Sequence, residues 1–364
     1  AGAPMPLWVS EINPQACHVL HYRFGAGRPQ AMPDPQEAET KEAADERCLA
    51  IRRVADLPET GTIPNLGDMN APDIVDRIKT AGVPDIVVAG IPCQSFSAAG
   101  QRKGQADTRD LTARFVEIAN ELDIIRRGAG RAPVWFCIEN VPGLLNHPEN
   151  PFGAFLGGLV GVQSAGQPPG GKWRDAGVVA GPARVVAWRI LDSRYFGVAQ
   201  RRKRVFVLAR GGSDRWACAD ALLPVTKSMF GHPEKGRESA HRIAGNAERR
   251  AATGGERQIE AFCTGNITAS PDIAPSLIAQ PQHCVAIPHP RSDRGCETVV
   301  RRLLPVEYQR LQGFPDDFFD DIPYRGKPLA DRPRYRMLGN AMTVPVIDYI
   351  ARRIRAVETE RQAA

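Results

Sequence analysis

The segment Asp85-Ile86-Val87-Val88-Ala89-Gly90-Ile91-Pro92-Cys93-Gln94-Ser95-Phe96-Ser97 decides the fold. Its first six residues form a short, β-branched apolar run, which predicts a strand buried on both faces, as in a parallel sheet. The turn that follows then lies at the carboxyl edge of that sheet, where open α/β sheets bind their ligands. A cysteine in such a turn is presented rather than packed, although a lone cysteine is more often a small buried hydrophobe.

Working outward, residues 7–11 predict a short strand, and Asn13-Pro14 a helix start leading into 15–22. Residues 63–69 predict a weak strand ending in Gly67-Asp68, and 71–81 a helix. Downstream come a helix over 111–127, a strand over 134–138 and two more over 184–191 and 204–209. Strands alternating with helices imply an α/β protein with a doubly wound sheet. Residues 25–47, rich in Gly, Pro and charge, are expected to be a loop or insertion. Periodicity fades after Arg210 and returns at 306–312 and in a closing helix over 344–354. The expected division is a sheet domain over 1–210, a smaller irregular domain over 211–297, its remainder and a hinge over 298–335, and a segment over 336–364 that returns to the first domain.

The 364 residues are 43% hydrophobic and 24% charged, which suits a folded globular protein and excludes wholesale disorder. No run approaches about 18 apolar residues, and the first seven lack the order of a secretory signal, so membrane and export readings fall away. Eight cysteines without a Cys-x-x-Cys pair argue against a zinc ribbon or other metal site and against a disulfide framework, and point to a reducing, cytoplasmic compartment. The net charge of +6 is carried mostly on arginine, which forks onto phosphates; it suits a polyanionic partner and equally a solvated basic surface.

Two further motifs carry chemistry. Phe136-Cys137-Ile138-Glu139-Asn140-Val141-Pro142-Gly143 ends a buried strand and puts a carboxylate at the same sheet edge as Cys93. An acid beside an apolar strand end has a raised pKa, which suits protonation of a ring nitrogen; a helix cap or surface acid is the plainer alternative. Gly197-Val198-Ala199-Gln200-Arg201-Arg202-Lys203-Arg204-Val205 heads a strand with four successive cations. Strand alternation aims Arg202 and Arg204 to one face and Arg201 and Lys203 to the other, although a solubilising edge strand also reads this way.

Together with Arg310-Leu311-Gln312-Gly313-Phe314-Pro315 and Gly339-Asn340-Ala341, these motifs resemble the DNA (cytosine-5) methyltransferase family of bacteria and their phages, in the family's own order, from Ser10 to Arg353. The resemblance implies a Rossmann-like, S-adenosyl-L-methionine-dependent sheet domain that carries catalysis and cofactor binding. It implies a target-recognition domain over 211–297, a monomer acting on double-stranded DNA, and a companion restriction endonuclease for the same site. It makes Cys93 the nucleophile that adds to C6 of a cytosine flipped out of the duplex, which lets C5 attack an electrophilic methyl group. Glu139 would serve N3, and Arg204 with Arg202 the O2 and the phosphate backbone.

The methyl donor's pocket would draw on Glu11 and Ile12 at the ribose and Asp68 and Met69 near the adenine, with Ile91, Pro92, Asn340 and Ala341 lining it. Gln94, Ser95 and Ser97, with the glycine-containing loop over 98–104, would close over the base, and Gln200 and Arg202 would also meet DNA. Arg237, Arg242, Arg249, Arg250 and Arg257 are candidates for groove contacts. Ala274-Pro275-Ser276-Leu277 resembles the Thr-Leu signature of such recognition domains, with Ser276 in place of threonine.

The chain departs from the family pattern at its start, where an apolar strand and a Phe-x-Gly-x-Gly loop are expected ahead of Glu11 and nothing in 1–10 supplies them. This predicts an open place in the sheet and weaker methyl-donor binding. The gap keeps open a weakened or inactive methyltransferase-like DNA-binding protein. An RNA cytosine-5 methyltransferase would share the chemistry, but the Cys-Phe-Thr segment of those members is absent after Val141. A pyrimidine-nucleotide methylase would need neither the basic domain nor the Gln-Arg-Arg-x-Arg strand.

Overall fold

The computed structural model describes residues 5–33, 40–91, 111–212, 217–222, 260–263, 266–271, 283–291 and 295–363, with only the backbone described between 260 and 300. The first part runs α1 (Pro14–Phe24), β1 (Ala26–Pro29), α2 (Lys41–Val54), β2 (Ile63–Asn65), α3 (Ile74–Ala81), β3 (Ile86–Gly90), α4 (Leu111–Gly128) and β4 (Trp135–Asn140). It continues with α5 (Pro151–Val160), β5 (Ala176–Ala180), β6 (Val185–Asp192), β7 (Lys203–Arg210) and α6 (Ala217–Leu222). Then follow β8 (Glu260–Cys263), β9 (Asn266–Pro271), β10 (His283–Arg291), β11 (Gly295–Arg302), α7 (Pro305–Gln312), α8 (Asp331–Asn340) and α9 (Val344–Ala363).

The central sheet has the order β3-β4-β7-β6-β5. The fold is α/β, as expected, and its sheet is mixed: β3 and β4 are parallel, while β7 runs antiparallel to both β4 and β6. A single 3₁₀ turn, Ser193–Phe196, lies between β6 and β7, too short for the crossover that a parallel pair needs. Strand alternation sorts β4 into two cores. Phe136 and Ile138 face α4 and α5 through Phe115, Ile118, Phe155 and Leu159, while Trp135 and Cys137 face α6 and α9 through Leu222, Ile350 and Ile354. The fully buried Arg184 ties the start of β6 to α4, its Nε 2.8 Å from Asp123 Oδ2 and its Nη1 donating to Asn120 Oδ1 and Leu159 O. Removing one partner of such a buried pair costs about 3–5 kcal/mol.

Four expectations change. The 25–47 stretch holds β1 and the start of α2: β1 carries no β-branched residue and exists because it pairs with β2, and α2 is capped by Thr40, whose side chain accepts from Ala43 N. The strand at 7–11 shrinks to one parallel bridge, Val9 to Asn65. β3 is parallel as expected but not buried on both faces, with Ile86 37% and Val88 49% exposed. It stands at the sheet's end, and the helices α6 and α9 that cover this face over β4, β7 and β6 do not reach it. Finally, α6 packs its Cys218, Ala221 and Leu222 against the same core as β6 and β7, so the first unit runs past Arg210, and β11 runs past 297 to Arg302.

The later part is a four-stranded antiparallel sheet, ordered β11-β10-β8-β9, leading into α7 and α8. These helices build a third core from Tyr308, Leu311, Phe319, Ile322, Tyr335 and Leu338, which Val19 and Ala199 of the first unit join. Among the described residues no helix is long and apolar enough to cross a membrane.

Candidate active site

Strand register assembles one edge of the sheet. Gly90, the last residue of β3, is opposite Glu139, and Asn140 is opposite Val205 of β7. Because β7 is antiparallel, its first residues, Lys203 and Arg204, arrive where β3 and β4 end. Arg204 Nε lies 2.9 Å from Glu139 Oε1, an ion pair whose N–H is not aimed at the oxygen, and Arg204 Nη1 donates to Lys203 O. Glu139 is 7% exposed, and burial pushes its carboxyl above the ordinary carboxylate value against the pull of Arg204 and Arg202. A carboxyl held toward its protonated form can donate a hydrogen bond, which an ordinary surface glutamate at neutral pH cannot.

Pro92, Cys93, Gln94, Ser95 and Ser97 lie outside the described residues. Their starting point is fixed, since Ile91 is 7% exposed and packs in the main core. Cys93 is three residues beyond Gly90, a reach of at most about 10 Å. Arg237, Arg257 and Ser276 also fall outside the described residues.

The structure separates side chains that the sequence reading grouped. Arg202 is 2% exposed, and its Nη1 and Nη2 each donate at 3.0 Å, to Gly339 O and Ala341 O. Gln200 is fully buried, with neither amide atom hydrogen-bonded. Neither side chain lies on the surface, where a phosphate backbone would pass. Arg201 and Lys203 are exposed, as alternation predicts.

Ahead of β3 in the chain, Asn65 clamps two loops. Its Nδ2 donates to Glu11 O, and its Oδ1 accepts from Glu11 N and Gly67 N, all at 3.1 Å. Glu11 Oε1 accepts from Ile12 N and Asn13 N, and burial raises its pKa against those two bonds. The carboxylate is thereby fixed in place, and Oε2 has no hydrogen bond among the described residues. Gly67 has φ +77° and its missing Cβ would fall 1.9 Å from Ala31 O, so no other residue fits before Asp68. Asp68 Oδ1 accepts from Asn70 N, and Arg114 Nε and Nη2 hold the carbonyls of Met69 and Ala71. Asn340 is exposed, and Met342 just beyond it meets the end of β3, its Cε 3.3 Å from where a Cβ of Gly90 would sit. Asn65 and Arg114 were not signalled in the sequence, because an amide or guanidinium that binds backbone leaves no residue pattern.

Compared with known proteins, residues 63–157 and 185–356 match the family described as C-5 cytosine-specific DNA methylase. The "DNA N-6-adenine-methyltransferase" of Escherichia phage P1 is 30% identical over 421 residues, covering 80% of this chain and 55% of that protein, so the chain spans about half the phage protein's length. The "Type II methyltransferase M.NlaX" of Neisseria lactamica is 30% identical over 309 residues and 80% of each chain. The "Type II methyltransferase M.HpaII" of Haemophilus parainfluenzae is 28% identical over 314 residues, 80% of this chain and 78% of that one.

Proposed function

Because the chain belongs to the C-5 cytosine-specific DNA methylase family, we propose that it methylates C5 of a cytosine flipped from double-stranded DNA, with Cys93 as nucleophile. The observation that supports this reading most is the register that brings Gly90, Glu139 and Arg204 to one sheet edge, three residues short of Cys93.

Cytosine C5 is a poor nucleophile, and the Cys93 thiolate corrects this by forming a bond to C6. The electron pair of the C5–C6 double bond moves toward N3, where Glu139, whose carboxyl burial holds above its ordinary value, donates a proton. Arg204, paired with Glu139, offsets the charge left on it and would serve the O2 of the base. S-adenosyl-L-methionine supplies the electrophilic methyl group when bound. Glu11 would hold its ribose hydroxyls, Asp68 and Met69 its adenine end, and Ile91, Asn340 and Ala341 the wall between them. After C5 has gained the methyl group, N3 returns its proton to Glu139, the C5 proton leaves to solvent and the C6–S bond breaks, which restores the ring, the carboxyl and the thiolate.

The domain after Leu222 reads the site through groove contacts, in a monomer working in the cytoplasm, and the Type II names of two relatives support a companion endonuclease. Duplex DNA with 5-fluorocytosine throughout tests the reading, because fluorine at C5 blocks the last step. A denaturation-resistant adduct is expected with the methyl donor present and is lost in Cys93→Ala. An adduct on another cysteine removes the nucleophile assignment. Nucleosides from methylated DNA should contain 5-methylcytosine, and N6-methyladenine alone would overturn the proposal in favour of the activity named for the phage relative.

A further inference from the structure

The cation run 201–204 divides in two. Arg201 and Lys203 are exposed, and neither side chain has a partner among the described residues, while Arg202 is 2% exposed and turned inward. Its two Nη groups reach the carbonyls of Gly339 and Ala341, the last turn of α8 and the residue after it. A helix leaves its final carbonyls unpaired and carries partial negative charge there, so a guanidinium at this place both caps the helix and neutralises its end. The fully buried Gln312 completes the cap from α7: its Nε2 donates to Leu338 O at 2.6 Å and Ala341 O at 3.4 Å, and its Oε1 accepts from Thr343 Oγ1 at 2.8 Å. Two buried side chains from different elements thus share the Ala341 carbonyl. The junction they hold lays Met342 on Gly90, the strand end that leads to Cys93.

We propose that Arg202 is a positioning residue, which caps α8 and fixes the Asn340–Met342 junction against β3, and that Arg201 and Lys203 supply this run's contacts to DNA phosphates. The inference rests on DNA being the substrate and deepens that reading. It is tested by the salt dependence of binding to a random-sequence 30-base-pair duplex, together with the affinity for S-adenosyl-L-homocysteine measured without DNA. Arg201→Gln and Lys203→Gln should each lower the slope of log K against log salt by about one, the signature of a lost phosphate contact.

Arg202→Lys should leave that slope unchanged while it weakens S-adenosyl-L-homocysteine binding about tenfold, because a single ammonium cannot span two carbonyls. It should also speed hydrogen exchange at 338–343, where the cap is lost. A phosphate ligand behaves oppositely, since lysine keeps the charge and changes neither quantity. That result, or a slope reduced by one in Arg202→Gln with unchanged exchange, overturns the positioning role. Unchanged slopes in Arg201→Gln and Lys203→Gln overturn the phosphate role. A wild-type protein with no salt-dependent DNA binding would instead count against DNA as substrate, and the exchange measurement would still decide Arg202.

Discussion

β3 and β4 lie side by side and parallel, each a short apolar strand ending at the same edge, yet they are different objects. All six residues of β4 are buried, between β3 and β7 and between two layers of helices. Among the described residues β3 has β4 on one side only. Val87 and Ala89 meet the main core, while Ile86 and Val88 look out on a face that no described helix covers. The carbonyl of Asp85 accepts from Trp135 N, so alternation turns the amides and carbonyls of Ile86, Val88 and Gly90 away from β4, where no described strand pairs with them. Composition tells that a strand suits burial; neighbours decide whether it is buried.

The comparison breaks first on stability. Ile138 is 1% exposed, and Ile138→Ala should cost about 2–5 kcal/mol in urea unfolding, because the closed side of the sheet cannot collapse onto the cavity. Val88→Ala should cost well under about 1 kcal/mol by the same measurement, in line with exposed sites. Equal losses would mean that β3 is covered.

Next in size is chemistry, which depends on the closed side. Glu139→Gln should slow methyl transfer by about two orders of magnitude or more in single-turnover assays, with DNA binding nearly intact. The same burial has a pH consequence. A carboxyl with a raised folded-state pKa binds more protons in the native than in the unfolded protein, so stability falls as pH rises above the ordinary value of 4.5 and is fullest below it. Glu11, raised by its own burial, adds to the same slope. Urea midpoints between pH 4.5 and 7.5 should fall less steeply in Glu139→Gln than in the parent, and a steeper fall would reverse the assigned direction.

The same contrast explains what was legible. Helices α1 and α4 and strands β4, β6 and β7 announce themselves by caps and by apolar periods, and Glu139 at the end of an apolar run foretold its burial. Other elements were silent, among them α5, β1 and α8. α5, Pro-Phe-Gly-Ala-Phe-Leu-Gly-Gly-Leu-Val, shows no polar face to set a helical period, and its glycines serve close packing rather than flexibility: a Cβ at Gly157 would fall 2.5 Å from Ser164 O. β1 has strand form only through β2, and α8 is mostly charged on its exposed side. The inward turn of Arg202 was unreadable for a related reason. Its partners are carbonyls more than a hundred residues away, which have no residue signature.

A smaller effect would sharpen the comparison by changing the neighbours themselves. The segment at Val9 bonds β2 through its N–H and C=O, so Trp8 and Ser10 turn theirs away from β2, toward a side where no described strand pairs with them, beside the core that β3 shares. Placing an apolar strand, a Phe-x-Gly-x-Gly loop and a helix ahead of residue 1, about 20–25 residues by usual element sizes, should pair such edges and offer backbone N–H groups to the methyl donor. Its dissociation constant should fall tenfold or more, about 1.4 kcal/mol, by isothermal titration of both forms. Equal affinity and equal melting temperature would mean that the pocket is complete without it, built from the β1 and α2 region.

The smallest effect is the most diagnostic. Val88→Lys puts a charge on an exposed position of an apolar strand edge, the device by which natural sheets discourage edge-to-edge association. In the chain as it stands the substitution should change stability by no more than about 0.5 kcal/mol in urea unfolding. In the form extended by a strand and helix, the same lysine would be covered without a partner, and the loss should rise to several kcal/mol, toward the range for a buried unpaired charge. A large loss in the shorter chain would show that something already covers β3. A negligible loss in the longer one would show that the added strand lies elsewhere, since a lysine on an open edge keeps its water and one beneath a helix cannot.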